Sequence, residues 1–312
     1  MISTFVDVLE PITESNFFPE GYLLANLDLR RAAVDARTHF DAHGRFENRR
    51  QVSRHMFAHS EYRTKKFELF FPSIKSSAEP PARSFPISIG TEHFSLDAYQ
   101  GESANEGFGP FVEEIENNPD RRFLDIGCGL RRRVYLNCLY LEVYPSVSAD
   151  LIVSPDCVYP LADGAFDGIG CFAVLEHTKK PWRVVEEMRR MLKQGGKVFI
   201  DWPFLQPVHG YPSHYFNATR EGLATLFLDN GFAISELKTF PFQGPDHTIA
   251  WVLGKFLRSL PADAQKKVMR MTVAELLAHK PQDEWWTRTL NMLPDLVISE
   301  FACGNSLIAT KT

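Results

Sequence analysis

The residues Asp125-Ile126-Gly127-Cys128-Gly129 close an apolar run, RRFLDIG, with one carboxylate and two glycines. Glycine admits positive φ and lets the backbone approach a ligand closely, while Asp125 offers an acceptor at the same turn. A GxGxxG turn would cradle a pyrophosphate on a helix N-terminus. Here Leu130, Arg131 and Arg132 follow Gly129, so the third glycine is missing and a nicotinamide cofactor is disfavoured. Glu142, seventeen residues beyond Asp125 at the end of the next apolar run, is placed to accept both hydrogen bonds of a ribose diol. Farther on, His177 follows the run FDGIGCFAV, and the segment WPFLQPVHGYPSHYFNAT gathers His209, Tyr211, His214, Tyr215 and Asn217. Imidazole, with a pKa of about 6.5, is a general base suited to neutral pH, and the tyrosines and asparagine offer apolar faces and hydrogen bonds to an acceptor. Plainer roles stay open: His177 fixing its loop through a backbone hydrogen bond, His214 packing or capping, and the aromatics burying against the next helix.

The elements that must hold these residues alternate from about residue 108. The amphipathic PFVEEIENN reads as a helix closing at Asn118-Pro119, ahead of the strand RRFLDIG. Short apolar runs follow at 139–144, 150–154, 166–174 and 197–202. Between the last two, Val184, Val185, Met188, Met191 and Leu192 share one helical face, with Pro181 at its start and Gly195-Gly196 beyond its end. Strands alternating with helices predict a mostly parallel sheet covered on both faces. Only nine residues separate Gly129 from Leu139, too few for a full crossover helix. TREGLATLFLDNGF predicts a further helix capped by Thr219, AISELKTF a strand, residues 247–293 a helical block, and NSLIATK a closing strand.

Composition bounds the alternatives. The chain has 312 residues, 44% of them hydrophobic, enough to bury a substantial core without disulfide or metal staples. Five cysteines with no CxxC pair indicate neither a zinc ribbon nor a disulfide framework, no metal-ligating set is expected, and a reducing compartment, the cytoplasm by default, fits. The acidic start MISTFVDVLEPITESNFFPE is unlike a secretory signal, and no apolar run nears the ~20 residues of a membrane helix. The net charge of -5 removes the global positive field of a generic nucleic-acid binder. One segment runs against it: Arg30 to Lys66 holds ten Lys or Arg against four acids, either a face for an acidic partner or a solvated helical surface balanced elsewhere.

The phrases LDIGCG, LYLEVYP, PLADGAFDGIGCFAVLEHTKKPWRVVEEMRRMLKQGGKVFIDWPF and HYFNATREGLATLF together resemble a class I S-adenosylmethionine-dependent methyltransferase of the methyltransferase type 11 group, over roughly residues 108–240. The resemblance implies an α/β fold, a doubly wound, mostly parallel seven-stranded Rossmann-like sheet, with a helical N-terminal segment and linker over 1–88, a methyltransferase domain over 89–312, and a helical insertion at about 247–293 before the last strand. It implies that Asp125, Gly127, Cys128 and Gly129 surround the methionine part of S-adenosylmethionine and that Glu142 holds the ribose. Asp156 would face the adenine amine, and Phe172 to Leu175 would line the cofactor below the acceptor. Asp156 departs from the family pattern, which places that aspartate where Pro155 stands here. His177, His209 and His214 are then candidate bases, and Tyr211, Tyr215 and Asn217 candidate acceptor contacts. The expected acceptor is a hydroxyl, or less favourably an amine, of a small molecule or glycan-type metabolite, with a nucleic acid disfavoured and no membrane involved. Two other readings are a non-catalytic cofactor-binding module and a nucleic-acid methyltransferase docking through the basic N-terminal segment.

Overall fold

A computed structural model describes residues 4–75, 83–95, 107–210, 213–303, 306–308 and 310. The chain opens with β1 (Phe5–Asp7), β2 (Leu9–Pro11), α1 (Pro19–Ala25), α2 (Leu27–Arg31), α3 (Ala36–His39), β3 (Arg50–Val52) and α4 (Glu61–Phe70). Next come β4 (Ile87–Ile89), α5 (Gly109–Asn117), β5 (Phe123–Ile126), β6 (Arg133–Tyr135), β7 (Cys138–Glu142), β8 (Leu151–Val153), β9 (Phe166–Phe172), α6 (Pro181–Met191) and β10 (Leu192–Asp201). The remainder is helical: α7 (Arg220–Asp229), α8 (Pro245–Ser259), α9 (Ala262–Met269), α10 (Val273–Ala278), α11 (Glu284–Leu290) and α12 (Asp295–Glu300).

Six strands form one parallel sheet in the order β10-β9-β5-β7-β8-β4. Because β5, β7 and β8 step one way and β9 and β10 return on the other side of β5, the order reverses between β5 and β9, the switch point at whose carboxyl ends open α/β sheets bind ligands. Alternation along β5 sends Leu124 and Ile126 to one face, with Val184, Val185, Met188 and Met191 of α6 and Phe67 and Phe70 of α4. Phe123 points to the other face, with Phe111 and Ile115 of α5. Each covering helix is fixed at its start: Ser60 Oγ accepts from Arg63 N in α4, Thr219 Oγ1 accepts from Gly222 N in α7, and Pro181 occupies the first turn of α6.

The sheet differs from expectation at one margin. It has six strands among the described residues rather than seven, because the two outer segments do not join. Residues 233–240, AISELKTF, form no strand and are largely exposed, and at 306–308 Leu307 and Ile308 are 89% and 99% exposed, so neither segment buries the apolar face that would hold it to β10. The opposite edge is extended instead by β4, so position 88, where a boundary was expected, lies inside a strand paired with β8. The connection from β5 to β7 contains no helix; it holds β6, which pairs antiparallel with β1.

The basic N-terminal stretch divides into two buried cations and a set that stays at the surface. Arg63 and Lys66 of α4 are 1% and 0% exposed and converge on Asp150, itself fully buried before β8. The Arg63 guanidinium is ion-paired with Asp150 and also donates to the carbonyls of Met56, Val147 and Ala149. Lys66 Nζ lies 2.6 Å from Asp150 Oδ2 and 4.4 Å from the Tyr140 ring centroid. Arg37 and Arg45 pair with Glu14 and Asp41, Arg49 pairs with Asp28 and Glu47, and Arg54 stacks on Phe18. No helix among the described residues is long and apolar enough to cross a membrane.

Candidate active site

At the switch point between β5 and β9, the turn after β5 is shaped by backbone conformation. Gly127 and Gly129 have φ of +67° and +57°, the left-handed region that favours glycine. A Cβ on Gly127 would lie 2.3 Å from Val174 Cγ2, so the turn after β5 and the segment after β9 meet only because the side chain is missing. At Gly129 a Cβ would meet only the Tyr144 hydroxyl, at 3.8 Å, leaving that part of the turn accessible. Cys128 is fully buried between them, and burial pushes its thiol well above the ordinary range. Glu142 ends β7 at 6% exposure, beside this turn: the N–H groups of Gly127 and Cys128 both donate to the Leu141 carbonyl.

Asp125 has a partner that sequence reasoning did not assign. Arg131 grips it with both arms, Nε to Oδ2 at 2.8 Å and one terminal nitrogen to Oδ1 at 3.0 Å, with both residues buried. The Asp125 carboxylate holds Arg131 firmly charged despite the burial that opposes it. Phe172 packs between Phe108 and Phe111, and Arg131 lies 5.9 Å from its ring centroid. Leu175 is fully buried in the core. Asp156 is exposed, and its Oδ1 accepts from Val158 N at 3.0 Å, closing its own turn.

The three candidate histidines are brought together just past β9. The rings of His177 and His209 and those of His177 and His214 are 5.5 Å apart, and those of His209 and His214 are 4.7 Å apart. Their partners assign their tautomers. His177 Nδ1 is 2.8 Å from the Ser213 carbonyl and His209 Nδ1 is 2.9 Å from the Pro207 carbonyl, so each Nδ1–H donates and each Nε2 keeps its lone pair. His214 is used at both ends: Nε2 donates to Asn217 Oδ1 at 2.5 Å, and Nδ1 accepts from His209 N at 3.4 Å. Asn217 in turn donates to the Gln206 carbonyl at 3.1 Å. Burial lowers the pKa of both His177 and His209, which keeps them neutral at neutral pH. His177 and His209 thus each keep an Nε2 lone pair, while both nitrogens of His214 are engaged, one of them by the His209 N–H. Tyr215 is exposed and tied down by its N–H to the Glu176 carbonyl at 2.6 Å, while Tyr211 lies outside the described residues.

Two features here were not expected from the sequence. One is Glu176, fully buried between Leu175 and His177, whose carboxylate oxygens have no hydrogen-bond partner. Burial pushes its pKa up to about 8, with its own backbone N–H pulling back and the Asp201 carboxylate adding a smaller rise. The signal was present as an acid adjacent to a histidine at a strand end. The other is an open cavity of about 780 Å³ lined by His209, His214, Trp251, Lys255, Arg258 and Glu300 among others. The α8 residues on that wall could not be assigned to the site from helical periodicity alone. Trp285 stacks on His279, and the Trp286 ring lies tilted against Phe256, 5.7 Å between centroids.

Comparison with known proteins follows this geometry. Residues 124–200 match the Methyltransf_11 family, described as a methyltransferase domain, which is the segment carrying LDIGCG through KVFI, and the match bears out the resemblance read from the sequence. An uncharacterized 37.1 kDa protein in transposon TN4556 of Streptomyces fradiae is 30% identical over 167 residues, covering 45% of this chain and 46% of that protein. The chain thus spans about half the length of the curated relative it matches. Among solved structures, the YcgJ protein of Bacillus subtilis is 18% identical, with 55% of this chain and 86% of that one covered and a TM-score of 0.35. The Haemonchus contortus phosphoethanolamine N-methyltransferase 2, in complex with S-adenosyl-L-methionine, is 15% identical, with 55% and 43% covered and a TM-score of 0.31.

Proposed function

We propose that this protein transfers the methyl group of S-adenosylmethionine to an oxygen acceptor held beside His177 and His209. The observation that carries the reading is the pairing of a left-handed glycine turn at the sheet's reversal point with Glu142 at the end of the adjacent strand, within the segment that matches a methyltransferase domain. The residues fit the cofactor: Gly129 leaves the turn accessible, and Glu142 places a carboxylate at the end of the adjacent strand. The cofactor's sulfonium supplies an electrophilic methyl group, so the protein's work is positioning and exclusion of water. Gly127 and Gly129 let the backbone approach the methionine portion, and Glu142 orients the ribose. Phe172 and Val174 form the apolar floor, and Asp125 acts through Arg131, setting the turn's shape.

On the acceptor side, His177 Nε2 and His209 Nε2 carry the lone pairs that receive a hydroxyl proton, and both rings are already held by backbone carbonyls. The cavity wall adds Lys255, paired with Glu300 at 2.5 Å, and Trp251, whose ring lies 4.9 Å from that of His209. A hydroxyl-rich small molecule suits such a mixed polar and aromatic wall. Docking of a nucleic acid through the basic N-terminal segment draws less support, because five of its ten cations are committed within the chain: Arg63 and Lys66 are internal, and Arg37, Arg45 and Arg49 are paired with neighbouring acids.

Calorimetric titration with S-adenosylhomocysteine, beside NADH, tests the reading. Binding of the former alone is expected, and Glu142→Gln should weaken it by about 1–3 kcal/mol for lost hydrogen bonds to a charged group. Binding of NADH alone, or unchanged affinity in a folded Glu142→Gln protein, would overturn the assigned cofactor site.

A further inference from the structure

Glu176 is a carboxylate at 0% exposure with both oxygens unpartnered, whereas Asp150, equally buried, and Asp125 are ion-paired. Burying such a group without a partner is costly, and a side chain kept that way calls for something to complete it. The surroundings show what kind of thing. His177 Nε2 lies 3.7 Å from Glu176 Oε1, too far for a hydrogen bond, and one ligand atom from each of Glu176, His177 and His209 lies within 4.8 Å of the other two. Both imidazoles donate Nδ1–H to backbone carbonyls, those of Ser213 and Pro207. That outer contact fixes the tautomer and aims the Nε2 lone pair in histidines that ligate metals. His214, with both nitrogens engaged, packs against the two rings and is not a ligand.

We propose that Glu176, His177 and His209 bind a divalent first-row transition-metal ion at the edge of the acceptor cavity. Two imidazoles and one carboxylate suit zinc, iron(II) or cobalt(II), whereas magnesium and calcium prefer all-oxygen shells. With metal–ligand bonds of about 2.0–2.2 Å, tetrahedral ligands sit roughly 3.3–3.5 Å apart. The Glu176–His177 separation is already close to that, and the ion draws the widest pair inward. Three protein ligands leave at least one coordination position, as in metal sites that bind water or substrate. His209 lines the cavity, so an oxygen of the acceptor is the natural fourth ligand; with both Nε2 lone pairs on the ion, the ion takes over from the imidazoles by acidifying the acceptor hydroxyl, whose proton leaves to solvent, a use that rests on the methyl-transfer reading while the site itself does not. The cysteine pattern gave no hint of it, because none of the ligands is a cysteine.

The test is titration of the chelator-treated, tag-free full chain with Co²⁺ alone, followed by visible absorbance, then competition with Zn²⁺. One equivalent should bind with ligand-field bands that zinc abolishes. Glu176→Gln and His209→Ala should each weaken binding at least tenfold, by comparison with the ~10–100-fold cost of losing even an outer contact. His279→Ala, at a histidine paired with Asp283 3.3 Å away in the helical block, should leave binding unchanged. No saturable Co²⁺ binding by the unaltered protein, or binding insensitive to both ligand variants, would overturn the site. S-adenosylhomocysteine is titrated in parallel. Its binding without cobalt binding overturns the metal site and leaves the cofactor reading standing; cobalt binding without it upholds the site and removes only the acceptor role.

Discussion

Asp150 and Glu176 are both carboxylates with no exposure to solvent, one just before β8 and the other just past β9, yet they keep different company. Asp150 receives the Arg63 guanidinium and the Tyr140 N–H at 2.9 Å, and Lys66 Nζ sits 2.6 Å away. Lys66 is held below the ordinary lysine range by burial, with Asp150 opposing the fall. Glu176 has no such partner, and the same desolvation raises its pKa to about 8. Paired, a buried acid tethers elements distant in sequence: α4 to the start of β8. Unpaired beside two aimed imidazoles, it marks a place where something else binds.

The largest effect should come from breaking the satisfied member. Asp150→Ala leaves two cations buried without an acid, and a loss of about 3–5 kcal/mol is expected in urea denaturation. Because well-packed apolar residues often replace a buried ion cluster at little cost, the triple variant Arg63→Met, Lys66→Met, Asp150→Leu should recover much of that loss. A single variant no less stable than the unaltered protein would contradict the tethering role.

Glu176 should respond with the opposite sign. Its folded pKa of about 8 exceeds the ordinary 4.5, so the metal-free folded state holds a proton that the unfolded chain has released. Stability is therefore full below about pH 4.5 and falls as pH rises toward 8, by up to about 1.4 kcal/mol per pH unit. Glu176→Gln removes that slope. In chelator, the variant should match the unaltered protein near pH 4.5 and exceed it at pH 8, measured as urea midpoints across the range. Parallel pH profiles for the two proteins would show that the carboxyl is not held protonated by burial.

The contrast also explains what the sequence could and could not convey. Periodicity located β5, β7, β8, β9 and α6 because each buries a continuous apolar face, and the glycine turn stood out because Gly127 and Gly129 require positive φ. The histidine cluster was legible as three side chains following two parallel strands. Arg131 was visible only as an obstacle to a GxGxxG turn, since nothing local says that it folds back onto Asp125. Lys66 and Arg63 were counted as surface charge because their acid lies more than eighty residues away, a separation across which composition carries no pairing information. Glu176 was passed over for a related reason: an acid beside a histidine becomes unusual only once both oxygens are known to be buried and unpartnered. The outer strands failed because alternating residues in AISELKTF satisfy strand periodicity without any sheet surface to cover.

The smallest effect should come from the exposed half of the same basic segment. Arg45 pairs with Asp41 and Glu14 and lies 5.1 Å from the Phe40 ring centroid, with all three charged side chains largely in water. Solvent and salt screen such pairs, and holding long side chains together costs entropy that offsets the attraction. Arg45→Ala should leave the urea midpoint unchanged within error at both low and high salt, whereas Arg63→Ala, eighteen positions along, removes a buried cation with acceptors on Met56, Val147, Ala149 and Asp150 and should lower it clearly. Equal losses from the two substitutions would mean that burial is not what separates structural from solvated charge here. The same pair probes the less supported docking surface: if Arg45→Ala weakened a steeply salt-dependent association with RNA, the segment would have to be read as a binding face after all.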